Sequence, residues 1–136
     1  MSSQKRVAVV TGAGSGIGKA AALALLKDGY QVGLVGRRKE MLDKTAAESG
    51  AKERTLVLPA DITKPENVHS VFAKLKEQWG RLDVLFNNAG MGAPAVPMEE
   101  LPLETWKAVV DINLNAMFYC TQEAIRIMKA QDPKGG

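Results

Sequence analysis

The chain has 136 residues, enough to bury a core and too few for two ordinary domains. Hydrophobic residues make up 46% and charged residues 24%, which excludes a disordered or fibrous chain. A net charge of +3 from scattered basic residues, with 5% aromatic residues, provides neither the basic stripe nor the stacking platform that nucleic acid requires.

In chain order, Arg6 to Val10 is a short apolar run that reads as a buried strand. It leads into "TGAGSGIG", where four glycines fall between Gly12 and Gly18, and then into an alanine- and leucine-rich helix over 17–27. Gln31 to Gly36 reads as a second strand, and 39–49 as a polar helix with Met41, Leu42, Thr45 and Ala46 on one side. Thr55 to Asp61 reads as a third strand. Thr63 and Glu66 have the spacing of a capping box, with Pro65 in the first turn of a helix whose apolar stripe is Val68, Val71, Phe72, Leu75 and Trp79. Leu82 to Asn87 reads as a fourth strand, followed by a Gly/Ala/Pro-rich loop from Ala89 to Pro97. A long helix is expected from about Pro102 to Met128, with Trp106, Val110, Asn113, Met117, Ala124 and Met128 on one face.

Strand and helix alternate throughout, which predicts a parallel sheet with helices on both faces. Ligands of such sheets collect at the carboxyl ends of the strands, where the polar and glycine-rich clusters of this chain also fall. At Gly12–Gly18, backbone amides and a helix N-terminus suit an anion, although a tight turn without a ligand would use the same glycines. The spacing matches neither G-x-G-x-x-G nor a Walker loop, because Ile17 and Ala20 stand at the deciding positions. Arg37 and Arg38 follow the second strand where a dinucleotide site holds the adenosine ribose. Arginine there accommodates the 2′-phosphate of NADP, and a solvated pair is the alternative. Asp61 can accept from an adenine amino group or simply shape a turn. Asn87–Gly90, "NNAG", caps the fourth strand and leaves room for a flat group. Asn113 is either a satisfied core amide or the holder of a water in an active site. His69, the lone histidine, is expected on a solvated helix flank, and Cys120 in packing. No metal-ligand spacing is present. One cysteine excludes an intrachain disulfide, and no leader or membrane-spanning run is visible, so the expected location is cytoplasmic, with no membrane partner.

Taken together, "TGAGSGIG", Asp61-Ile62, "NNAG" and Asn113 within "DINLNAMF" resemble the short-chain dehydrogenases/reductases, in the order and spacing of that family and over essentially the whole chain. The resemblance implies a Rossmann-type, doubly wound α/β fold of three layers, with about the first four strands of the family's seven. It implies that Gly12, Ser15, Gly16, Ile17 and Gly18 contact the cofactor pyrophosphate, and that Asp61 and Ile62 flank the adenine. Asn88, Ala89 and Gly90 would line the ribose and nicotinamide side, and Asn113 would be the catalytic asparagine that holds a water in the proton relay. Ser15 stands where other members carry a basic residue, so NADP(H) is favoured over NAD(H) on Arg37 and Arg38 alone.

The family's chemistry also needs a downstream serine and a Tyr-x-x-x-Lys motif, and these residues contain neither: Leu34 follows Tyr30 by four, and Glu123 follows Tyr119. The expected reading is a single NAD(P)-binding domain over 1–136, cut short at its C-terminal end. It would be the cofactor-binding half of an oxidoreductase moving a hydride between nicotinamide and a small-molecule carbonyl or alcohol. The long helix would resemble the one that packs subunits in this family, giving a homodimer or homotetramer. The rival is a non-catalytic dinucleotide-binding or interaction module.

Overall fold

The computed structural model describes residues 5–136, and residues 1–4, read above as carrying no leader, lie outside the described residues. Four strands, β1 (Val7–Thr11), β2 (Gln31–Gly36), β3 (Thr55–Pro59) and β4 (Val84–Phe86), form one parallel sheet in the order β3-β2-β1-β4. β1 is central. Val10 sits opposite Leu34 of β2 on one side and Phe86 of β4 on the other.

All five residues of β1 are buried, as a strand covered on both faces requires. Its alternating side chains feed two cores. Ala8 and Val10 join Val32 and Leu34 beneath α1 (Gly16–Lys27) and α2 (Lys39–Glu48), which contribute Ala22, Leu26, Leu42 and Ala46. Val7 and Val9 join Val35 and Leu58 beneath α3 (Pro65–Trp79) and α5 (Ala116–Ala130). Val68, Val71, Phe72 and Leu75 of α3 keep the spacing read from the sequence, and burying each side chain of this size stabilises the fold by about 1.5–3 kcal/mol.

Three local expectations are corrected. The capping box at Thr63 and Glu66 does not form: Lys64 occupies the N-cap, and the Thr63 hydroxyl and amide both donate to Asp61 Oδ1, at 2.7 and 3.1 Å. The nearby carboxylate outcompetes the helix's own amides for the threonine. The long helix is three pieces, α4 (Leu103–Val110), a π turn over Asp111–Asn115, and α5. Because the π turn adds a residue to the winding, α5 buries Ala116, Cys120, Ala124 and Ile127, whereas Trp106 and Met117 of the expected stripe are exposed.

The amino ends of the strands are closed by a buried polar lock. Arg81 Nη2 donates to Asp83 Oδ1 at 2.7 Å, Arg81 Nε donates to Asp83 Oδ2 at 3.0 Å, and Asp83 Oδ2 accepts the Val7 amide of β1 at 2.8 Å. From the end of α5, the Gln131 amide accepts from Leu82 N and donates to Leu82 O, both at 2.8 Å, as a neighbouring strand would. Arg81 holds the Asp83 carboxyl below its ordinary value, and the carboxylate in turn raises the arginine further.

Candidate functional site

A cavity of about 440 Å³ opens at the carboxyl ends of the strands. Gly12 and Ser15 line it after β1, Gly36, Arg37 and Arg38 after β2, Asp61 and Ile62 after β3, and Ala89 and Gly90 after β4. Of the residues singled out from the sequence, Gly16, Ile17, Gly18, Asn88 and Asn113 are not in its lining. Their places are specific. Ile17 is exposed at the start of α1, and Gly16 has a left-handed φ of 54°. Gly18 faces inward, where a Cβ would run into the Gly12 carbonyl oxygen and the Asn88 amide. That glycine lets α1 approach the loop closely.

The loop is held by side chains of β1 and β4. Asn88 Nδ2 donates to the carbonyls of Thr11 at 3.2 Å and Gly12 at 3.4 Å. Thr11 Oγ1 accepts the amides of Asn88 at 3.0 Å and Ala89 at 2.9 Å and donates to the Phe86 carbonyl at 3.4 Å. One hydroxyl thereby fastens the turn after β4 to the end of β1. Sequence reasoning missed Thr11. The signal was a lone polar residue ending an otherwise apolar strand.

The N-terminus of α1 has no side-chain cap. Ser15 is its N-cap in extended backbone, but the hydroxyl makes no capping bond, and no acidic residue occupies the first turn. The first amides of α1 therefore lack the side-chain partner that a cap supplies, and the helix dipole adds positive potential. Arg37 and Arg38 bring two cations to the same cavity. Asp61 adds a carboxylate to the lining: the Thr63 hydroxyl bond lowers its pKa most, against the opposing effect of burial, and the Thr63 amide and the Arg37 charge lower it further. It is an ionised carboxylate at neutral pH.

Asn113 lies within the π turn. Its Nδ2 donates to the Val109 carbonyl at 3.0 Å and to the Met91 carbonyl at 2.7 Å, and its Oδ1 accepts the Met91 amide at 3.3 Å. The amide thus bonds the Val109 carbonyl of its own helix and ties α4–α5 to the loop beyond Gly90. A Cβ on Gly90 would collide with Asn113 Oδ1. Met91, Asp111 and Ile112 also line the cavity and were not singled out. The two beside Asn113 were hidden because a π turn looks like ordinary helix in sequence.

The remaining candidates stand apart. His69 is exposed, with Nδ1 3.4 Å from Glu123 Oε1. Cys120 is fully buried, and burial pushes its thiol up to about 11, so it packs as a neutral group. Among the described residues no cluster of His, Cys, Asp or Glu could hold a metal ion, and no helix is long and apolar enough to cross a membrane.

A family model described as short chain dehydrogenase matches residues 6–136. A 3beta-hydroxysteroid dehydrogenase of Mediterraneibacter gnavus is 37% identical over 135 residues, covering 97% of this chain and 47% of that protein. Two solved structures superpose closely. A 3-ketoacyl-(acyl-carrier-protein) reductase of Brucella melitensis, complexed with NADH, has a TM-score of 0.87 at 32% identity, covering 93% of this chain and 52% of that one. A metagenomic short-chain oxidoreductase in complex with NADP has a TM-score of 0.89 at 31% identity, covering 98% and 61%. The chain spans about half the length of the curated relatives it matches.

Proposed function

This chain belongs to the short-chain dehydrogenase family, and we propose that residues 1–136 form the NAD(P)-binding unit of a longer oxidoreductase that prefers NADP(H). The observation that carries the reading is the single cavity joining an uncapped helix N-terminus to Arg37, Arg38 and Asp61 at one end and to Gly90 at the other. A dinucleotide needs these features in this order: amides and a helix dipole for the pyrophosphate, cations for a 2′-phosphate, an acceptor for adenine, and open backbone for the nicotinamide. When bound, the nicotinamide would supply or accept the hydride.

The residues of this chain bind and orient. Gly12 permits close approach of the pyrophosphate to backbone, and Gly18 lets α1 pack against that loop. Ser15, Gly16 and Ile17 open α1 toward it, Ile62 walls the adenine, and Asn88 and Ala89 fix the turn against which the ribose and nicotinamide rest. Asn113 is the positioning member of the catalytic set. Because its amide is committed to Met91 and Val109, the π-turn backbone around it is what remains to hold a relay water. Transfer to a carbonyl, or from a secondary alcohol such as a hydroxysteroid, further requires an acid/base group from outside these residues. The exposed Leu114, Met117 and Phe118 of the π turn and α5 support subunit packing as a homodimer or homotetramer. The one buried, unpaired thiol supports a reducing, cytoplasmic setting.

Titration of NADPH and NADH into the complete gene product tests the cofactor reading. NADPH should bind at least tenfold more tightly, and Arg37→Asp should remove that margin; tighter binding of NADH by the unaltered protein would overturn it. The rival reading, a non-catalytic binding module, draws on the lack of a Tyr-x-x-x-Lys in these residues. A coding sequence that continues into that motif would eliminate it.

A further inference from the structure

Residues 91–98, Met-Gly-Ala-Pro-Ala-Val-Pro-Met, are eight consecutive exposed residues without one charged or hydroxyl- or amide-bearing side chain. Met91 is 50% exposed, Val96 42% and Met98 90%. Surface loops ordinarily carry polar side chains, and an apolar stretch held in water marks something that covers it. The loop begins at the cavity. Met91 lines it next to Gly90, across the strand ends from Arg37 and Arg38.

The loop is also held in place. Asn113 grips Met91 through both its amide and its carbonyl. Pro94 and Pro97 fix their own φ angles, and the Val96 amide donates to the Pro94 carbonyl at 3.0 Å. An exposed apolar wall that is already ordered loses little entropy when something packs on it. Of these residues Met91 is the one in the cavity lining, and its position at the Gly90 end makes the candidate occupant the molecule that meets the nicotinamide.

We propose that residues 91–98, with Met91 as the specificity-determining side chain, form an apolar wall against the body of the substrate, so that the enzyme selects ketones and secondary alcohols with an apolar chain or ring and rejects polyhydroxylated ones. This rests on the oxidoreductase reading above and deepens it. A substrate hydroxyl or charge brought against this wall would lose its water and gain no side-chain partner.

The test is the complete gene product reducing 2-butanone, 2-pentanone, 2-hexanone and 2-octanone, with dihydroxyacetone as the polar counterpart. Each methylene covered by the wall should raise kcat/KM by about threefold to fourfold, and dihydroxyacetone should be the poorest substrate. Met91→Ser should flatten the series and Met91→Leu should restore it. The slope compares substrates within one preparation, so a partly folded variant does not distort it. A flat series in the unaltered protein, or a slope unchanged in Met91→Ser, overturns the wall while leaving the oxidoreductase intact. No turnover with either cofactor overturns the oxidoreductase reading and the wall with it.

Discussion

The two ends of the sheet are built from opposite materials. At the amino ends, Arg81, Asp83 and Gln131 form a closed set of charge-assisted and amide bonds, with Arg81 8% exposed. At the carboxyl ends the polar atoms that hold the structure are mostly backbone, fastened by two short side chains, Thr11 and Asn88, around glycines. There the charged groups, Arg37, Arg38 and Asp61, face a cavity rather than one another's full embrace. One end spends its charges on the fold, and the other keeps them available to a ligand. Parallel strands make this division natural, because all the loops that can reach a ligand leave from one edge.

The contrast can be broken at either end. The largest effect is expected for Asp83→Ala, which leaves the buried Arg81 guanidinium without its carboxylate and the Val7 amide without its acceptor. Loss of one partner from such a pair should cost about 3 kcal/mol in urea unfolding, with the proposed cofactor affinity of the folded protein preserved. A loss below about 1 kcal/mol would mean that the lock is ordinary surface pairing. Gly18→Ala should invert the pattern. The added methyl meets the Gly12 carbonyl and the Asn88 amide, costing about 1–3 kcal/mol of stability by overpacking. Cofactor affinity should fall at least tenfold, since the displaced groups form the loop itself. Unchanged affinity would remove Gly18 from the site.

The smallest effect concerns acid. Asp83 in the folded protein lies below its ordinary value of 3.8, chiefly through the hydrogen bond from Arg81. Its contribution is therefore complete above the unfolded value and is lost as pH falls from there through the folded one. Stability should decline below about pH 4 more steeply in the unaltered protein than in Asp83→Asn, measured by urea midpoints across that range. Equal slopes would show that Asp83 does not report on folding.

Much of this was legible in the sequence because alternation and glycine placement are local signals. The β2 strand from Gln31 to Gly36 and the α3 stripe needed only periodicity. The lock was not legible. Arg81, Asp83 and Gln131 look like loop polars, and only the return of α5 to the start of β4 brings Gln131 to Leu82. The π turn was also invisible, since no residue type marks one, and the misplaced Trp106 and Met117 follow from counting through it at a constant pitch. The cavity was read from its strand ends, whereas Thr11, Met91 and Ile112 escaped because their roles depend on which element lies opposite.

The sheet order has a consequence for how the chain is made. β1 lies between β2 and β4, and its second edge is covered only when Phe86 arrives opposite Val10. A ribosome releases β1, β2 and β3 well before β4, so the most deeply buried of the four strands spends part of its synthesis with one edge open. The Gly12 turn is fastened by Asn88, which comes later still. During that interval the cavity does not exist, and the chain is a folding intermediate whose hazard is the strand that later becomes its centre.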